Sequence, residues 1–231
     1  MASGGHDDRS IRLWDVSSGE CVQVLGGNRS YVRSLYFSHS QEQILSGSGD
    51  GMVSLWELPS GKLLQRFQGH TDGVYDAVFD ASESRILSGG RDRTIRLWDV
   101  NTGHCLNVLT GSGFHILCLA WHVDQRRFLS CAGDIRLWDS ETGDCLQVFH
   151  GHRDTIRTVA WSHDYHHVLS ASHDRSVRIW DAETARCTAV LQGHEDCVVN
   201  AIWTLDRRFV ISCDSSGELR WWAITGTRGF E

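Results

Sequence analysis

Tryptophan returns along this chain at an almost fixed interval: Trp14, Trp56, Trp98, Trp138, Trp180 and Trp222 are spaced by 42, 42, 40, 42 and 42 residues. Each sits in a version of one hexapeptide, Ile11 to Val16 (IRLWDV) recurring as VSLWEL, IRLWDV, IRLWDS, VRIWDA and LRWWAI. A period of this length means that the chain is built from copies of one supersecondary unit, none of which can bury its apolar face alone. The architecture is therefore a stack or ring of equivalent units.

Within a period the apolar pattern is that of short strands. Segments such as YVRSLYF, VYDAVF, IRTVAW and VVNAIW alternate or run apolar over strand lengths. Each is followed by a run of the type QILS or HVLS, then by the tryptophan strand, then by a fourth run such as CVQVL. The last two strands are joined by turns ending in Gly19, Gly61, Gly103 and Gly143, where a hairpin needs positive φ, while Ala185 departs from that pattern. No helical periodicity is present. Four strands per ~42 residues is the unit of a β-propeller, which leaves few strand edges open to pairing. The expected fold is all-β, a propeller of four-stranded antiparallel blades with about five and a half repeats, as an incomplete or open ring. As one domain over residues 1–231, it divides into a partial blade 1–26, blades of about 27–68, 69–110, 111–150 and 151–192, and a partial blade 193–231. A five-bladed ring with a surplus strand, a strained six-bladed ring and an open fragment of a larger propeller all stay open; because the chain begins in mid-blade, with at most a remnant of a second strand at Ala2 to Gly4, the fragment is the favoured expectation. An open ring would also expose apolar faces that invite self-association.

The residues carry a resemblance to the WD-repeat β-propeller family. Trp14-Asp15, Trp98-Asp99, Trp138-Asp139 and Trp180-Asp181 match its Trp-Asp signature, and Gly69-His70, Gly151-His152 and Gly193-His194 match its Gly-His pairs. Trp56-Glu57, Trp222-Ala223, Gly27-Asn28 and Gly111-Ser112 depart from the pattern. The resemblance implies a buried hydrogen-bond chain from Trp to Ser to His to Asp. It falls here on Trp98, Ser88, His70 and Asp92, and again on Trp180, Ser170, His152 and Asp174. These serine, histidine and aspartate sets imitate a catalytic triad. Their repetition in successive blades, away from any Gly-x-Ser-x-Gly elbow, favours architecture over chemistry. Blades with Asn28, Ser112 or Ser216 in place of the His or Asp are expected to be softer, and the two-residue shortening around Gly133-Asp134 should tighten one turn.

Composition narrows the partners. Lys and Arg number 22 against 29 Asp and Glu, for a net charge of −7, so a nucleic-acid or anionic-lipid coat is disfavoured. Arg12, Arg96, Arg136, Arg178 and Arg220 fall once in each of five repeats and form no continuous phosphate track. No apolar run is long enough to span a membrane and the N-terminus lacks a signal-peptide core, which points to the cytoplasm or nucleus. Of eight cysteines, Cys21, Cys105, Cys145 and Cys187 occupy one repeated position that Leu63 fills elsewhere, and are expected to be small core residues rather than disulfide partners. His163, His166 and His167 have a spacing that could suit a transition metal, but a polar turn is the plainer reading. No metal or cofactor is expected.

The family resemblance also implies that partners bind at one rim of the central channel. Carried over by position, the rim candidates are Tyr31, Arg33, Tyr75, Arg91, His115, Leu117, Thr155, Arg157, His173 and Val199. Arg and Tyr are enriched in binding hot spots. The expected function is thus a non-catalytic protein-protein interaction scaffold that takes acidic or phosphorylated peptide segments. Two alternatives stay open. One is a substrate-receptor or adaptor subunit of a ubiquitin ligase or other multiprotein complex, although Ser17, Pro59, Asn101, Glu141, Glu183 and Thr225 stand where that class carries Arg. The other is a propeller hydrolase, for which no convergent set of side chains is evident.

Overall fold

A computed structural model describes residues 1–5 and 7–224, and divides into two compact units, Met1–Leu119 and Ala120–Glu231. The position of Thr225 and the end of the last partial blade lie outside the described residues. Every regular element among the described residues is a strand, arranged in antiparallel sheets.

The first unit begins with a three-stranded sheet of β1 (Ala2–Gly4), β2 (Ile11–Trp14) and β3 (Cys21–Leu25). The Ala2 to Gly4 remnant is thus a paired strand, with Ala2 opposite Leu13. Two four-stranded sheets follow: β4 (Val32–Phe37), β5 (Gln43–Ser48), β6 (Met52–Glu57) and β7 (Leu63–Gln68), then β8 (Val74–Phe79), β9 (Arg85–Gly90), β10 (Ile95–Asp99) and β11 (Cys105–Leu109). The strand β12 (Cys118–Trp121) contains the point where the second unit starts. It opens the sheet that continues with β13 (Arg127–Cys131), β14 (Ile135–Asp139) and β15 (Cys145–Phe149). Next come β16 (Ile156–Trp161), β17 (His167–Ser172), β18 (Ser176–Asp181) and β19 (Cys187–Gln192), and last a three-stranded sheet of β20 (Val198–Trp203), β21 (Phe209–Asp214) and β22 (Leu219–Ala223).

Two devices of the repeat explain this geometry. The first is the aspartate after the tryptophan. Asp99 Oδ1 accepts from the Thr102 backbone N–H at 2.7 Å and from its hydroxyl at 2.8 Å, and Asp181 does the same for Thr184. This closes the turn into the fourth strand, which Gly103 completes at φ +73°. Ala185 is held in the same left-handed region, at φ +56°, where a Cβ is strained. The second device is the glycine before the histidine. A Cβ on Gly69 would come within 2.9 Å of Trp98 Cη2 and 2.8 Å of Arg96 Nη1. The tryptophan and the arginine two residues before it pack over that bare backbone, with the Arg96 guanidinium carbon 5.9 Å from the indole centroid. Arg178 packs in the same way, its guanidinium carbon 5.8 Å from the Trp180 centroid, so these two arginines are packing residues.

The core lies between sheets inside each unit. Leu45, Val53 and Phe67 meet Val74, Phe79, Ile86 and Trp98 in the first, and Leu169, Val177 and Ile179 meet Val198, Ala201 and Val210 in the second. Trp56, Trp98, Trp138 and Trp180 are all buried, each burial contributing roughly 2–3 kcal/mol. Burial falls toward the last strand of each sheet, and this overturns one expectation. Cys21, Cys105, Cys145 and Cys187 are exposed free thiols, because they lie on that outer strand with only one neighbour; Arg96 Nη1 reaches Cys105 Sγ at 3.8 Å. The shortened turn behaves as expected. Cys131 pairs with Ile135 across three residues and the Ala132 N–H bonds to the Asp134 carbonyl, whereas five residues separate Gly89 from Ile95.

Candidate functional site

The triad-like sets are built as closed hydrogen-bond chains. The Trp98 indole N–H donates to Ser88 Oγ at 2.8 Å, Ser88 Oγ lies 2.7 Å from His70 Nε2, and His70 Nδ1 lies 2.9 Å from Asp92 Oδ2. Burial holds His70 below its ordinary pKa, though Asp92 pulls the other way. A neutral ring fits the chain: Nε2 accepts from the serine hydroxyl while Nδ1–H donates to the carboxylate. Trp180, Ser170, His152 and Asp174 repeat it at 2.9, 2.7 and 2.8 Å. Both serines are fully buried, and each hydroxyl is already committed as donor and acceptor. The arrangement offers no nucleophile to a substrate.

A third complete set corrects the reading of the last blade. Trp222 Nε1 donates to Ser212 Oγ at 2.8 Å, Ser212 meets His194 Nε2 at 2.6 Å, and His194 Nδ1 lies 2.9 Å from Asp214. The acid comes from Asp214, two positions before the site of Asp92, and Ser216 Oγ donates to its other oxygen at 2.7 Å. Ser216 therefore supports the network. Asn28 and Ser112 do stand outside such chains: Asn28 Nδ2 donates to the Arg9 carbonyl and Ser112 Oγ to that of Phe114. Trp56 and Trp138 retain the serine link alone, to Ser46 and Ser130. His194, Asp214 and Glu218 also bring ligand-type atoms together, but both ring nitrogens of His194 are engaged by Ser212 and Asp214. His163 and His166 lie in the turn between β16 and β17, and His167 opens β17.

The recognition candidates are positioned by a backbone clip that recurs from sheet to sheet. The residue before each turn donates its N–H to the carbonyl of the segment entering the first strand: Gly49 to Tyr31 at 2.9 Å, Arg91 to Gly73 at 2.8 Å, His173 to Thr155 at 2.9 Å and Ser215 to Cys197 at 2.9 Å. Both loops of a sheet are thereby held at one end. In the first unit this collects a continuous group. The Arg33 guanidinium carbon stands 5.4 Å from the Tyr75 ring centroid, Tyr75 meets His115 edge to face at 6.2 Å, and His115 Nδ1–H donates to the Arg91 carbonyl at 2.7 Å. Arg33, Arg91 and His115 are exposed, and Tyr31 and Leu117 are half-buried beside them in sequence. Arg91 Nε lies 3.6 Å from Asp72, a solvent-exposed pair that contributes little. In the second unit Thr155, Arg157, His173 and Val199 are all half-buried, with Thr155 and His173 joined by the backbone clip.

One carboxylate here has no counterpart in the repeat. Asp76, next to Tyr75 on β8, accepts from the Leu119 N–H at 2.9 Å and from the Ala77 N–H at 2.9 Å. Burial pushes its pKa up to about 6 against those bonds. Ser34, Cys118, Thr158 and Asn200 hold the matching places in neighbouring repeats; only a comparison between repeats singles out Asp76, since its residue type alone does not.

A family model described as "WD domain, G-beta repeat" matches residues 19–57, 61–99, 103–139, 143–181 and 185–223. The chain belongs to the WD-repeat family. Each match takes the last strand of one sheet with the first three strands of the next, so a WD repeat is staggered by one strand from the sheet it helps to build. An uncharacterised WD repeat-containing protein of Schizosaccharomyces pombe is 44% identical over 46 residues, covering 20% of this chain and 12% of that protein. Nuclear distribution protein PAC1 of Gibberella zeae is 46% identical over 50 residues, 22% of this chain and 10% of that one. PAC1 of Mycosarcoma maydis is 43% identical over 42 residues, 18% and 9%. These stretches span about a tenth of the relatives' lengths. WD repeats serve in general as protein-interaction scaffolds without catalytic activity, and nothing in the triad-like sets departs from that.

Proposed function

We propose that this chain is a WD-repeat scaffold, its sheets the blades of a β-propeller, that captures short acidic or phosphorylated segments of partner proteins at the edge carrying Arg33, Tyr75, Arg91 and His115. The observation that carries this reading is the linked run Arg33, Tyr75, His115 and Arg91. The Arg33 guanidinium sits over the Tyr75 ring, and the Arg91 backbone is tied to that ring through His115, which leaves the exposed Arg91 guanidinium beside the same loops. Guanidinium forms short charge-assisted bonds to carboxylate and phosphate, and tyrosine supplies contact area at little entropic cost. Thr155, Arg157, His173 and Val199 extend the same logic to the second unit. Cys21, Cys105, Cys145 and Cys187 carry exposed free thiols, which suits a reducing compartment, the cytoplasm or nucleus. An array of acidic, phosphorylated and neutral peptides probed with the purified chain tests the reading. Binding should favour the anionic peptides, weaken as salt rises, and be lost in Arg33→Glu with Arg91→Glu. Undiminished binding by that variant would overturn the site.

A further inference from the structure

A second candidate site lies in the second unit, at the far end of β16 from Thr155 and Arg157. Trp161 closes β16, Tyr165 lies in the turn that follows, and His122 stands just after β12. Their rings converge. The His122 centroid is 4.8 Å from that of Trp161 and 4.9 Å from that of Tyr165, both edge to face, and Trp161 and Tyr165 are 6.2 Å apart. The corner is fixed from behind: Trp161 Nε1 donates to the Ala120 carbonyl at 3.1 Å, and His122 Nδ1 lies 3.0 Å from Asp124.

These rings line a cleft of about 560 Å³ that is also lined by the carboxylates Asp164, Asp181 and Glu183. The lining guanidinium, Arg127, is already spent on Asp124, with Nε 2.6 Å from its carboxylate. Burial holds the His122 imidazole below its ordinary pKa, so near pH 7 it is an uncharged aromatic wall. Negative charge is thus in excess around an aromatic corner. Ring faces attract cations electrostatically, and carboxylates reinforce the sign. A bare ammonium must shed a strongly held water shell to enter, whereas N-methyl groups bring apolar surface that the rings can cover.

We propose that this cleft binds a methylated ammonium group carried on a peptide, that is, a methylated lysine side chain of a partner protein. The volume falls in the range of sites that enclose a ligand of drug size, which leaves room for the lysine stem and adjoining backbone beyond the cationic head. None of these residues belongs to the Arg33 and Tyr75 group, so the inference stands or falls separately from the anionic-peptide reading.

Calorimetric titration of the full chain tests it, using a short glycine-flanked peptide with trimethyllysine, the same peptide with unmodified lysine, the same peptide with a neutral tert-butyl analogue of trimethyllysine, and free choline. The trimethyllysine peptide should bind tightest, with the neutral analogue weaker by about tenfold or more. Tyr165→Ala and Glu183→Gln should each weaken binding several-fold while leaving the thermal unfolding midpoint in place. Absence of binding, equal affinity for the neutral analogue or for unmodified lysine, or indifference to both substitutions would overturn the site. Choline binding as tightly as the peptide would overturn its assignment to a protein partner.

Discussion

Ser88 shows why one side chain type returns at the same place in sheet after sheet. Its oxygen takes the Trp98 indole proton and its own proton goes to His70, so a single small residue satisfies two buried groups. Leaving either group without a partner would cost about 1–3 kcal/mol. Asp76 follows the opposite logic, because it is peculiar to its strand and is held where its charge is disfavoured. Its pKa is raised from 3.8 to about 6 by burial, so between those values the folded chain keeps a proton that the unfolded chain has released. That contribution to stability is fully present below about pH 3.8 and is lost as pH rises through 6. His70 and His152 act in the other direction: burial lowers their pKa, and their contribution is lost as pH falls below 6.5. Comparing Asp76→Asn with the parent chain separates the two effects. Denaturant unfolding from pH 4 to pH 7 should show the variant gaining on the parent by on the order of 2 kcal/mol. A difference that does not change with pH would contradict the raised pKa.

Each WD repeat carries the last strand of one sheet and the first three strands of the next, so every sequence unit covalently links two sheets that are consecutive along the chain. Within this scheme the histidine sets decide which loops are held down. The loop at His152 is bound by Asp174, which also accepts the Arg153 N–H at 3.0 Å, while Ser112, in the place of that histidine, spends its hydroxyl inside its own loop on the Phe114 carbonyl. Amide exchange followed by mass spectrometry should find residues 111–115 exchanging faster than residues 151–155, and residues 193–197 protected like the latter because Asp214 completes their set. Equal exchange in all three would contradict the role of the network. The strands, hairpin turns and two of these sets were legible in the sequence because a period of 42 residues repeats each signal several times. Two features escaped for one shared reason: they depend on register rather than residue type. Asp214 serves from two positions away, which a position-by-position comparison reads as a missing acid. The cysteines recur like core residues, yet they lie on the strand farthest from the core, and recurrence alone does not distinguish the two. The convergence of His122, Trp161 and Tyr165 requires two sheets to be brought together and has no linear signature.

At the scale of the whole molecule, residues shared by the repeats hold the sheets, and the proposed function assigns recognition to residues that differ between them. The Trp, Ser, His and Asp chains are buried and saturated, as architecture requires, whereas Arg33, Arg91 and His115 are exposed on a base that the backbone clips hold in place. A scaffold of this kind should tolerate change at its unshared surface without losing its fold, and should lose stability when a shared residue is removed. The most direct measurement sets thermal unfolding beside anionic-peptide affinity for two variants, Ser88→Ala and Arg33→Glu with Arg91→Glu. Ser88→Ala should unfold with about 2–3 kcal/mol less stability and, while folded, bind as the parent does. The double arginine variant should unfold as the parent does and bind no anionic peptide. If Ser88→Ala abolished binding at full stability, or if the arginine variant bound normally, the division between shared architecture and unshared recognition would be contradicted.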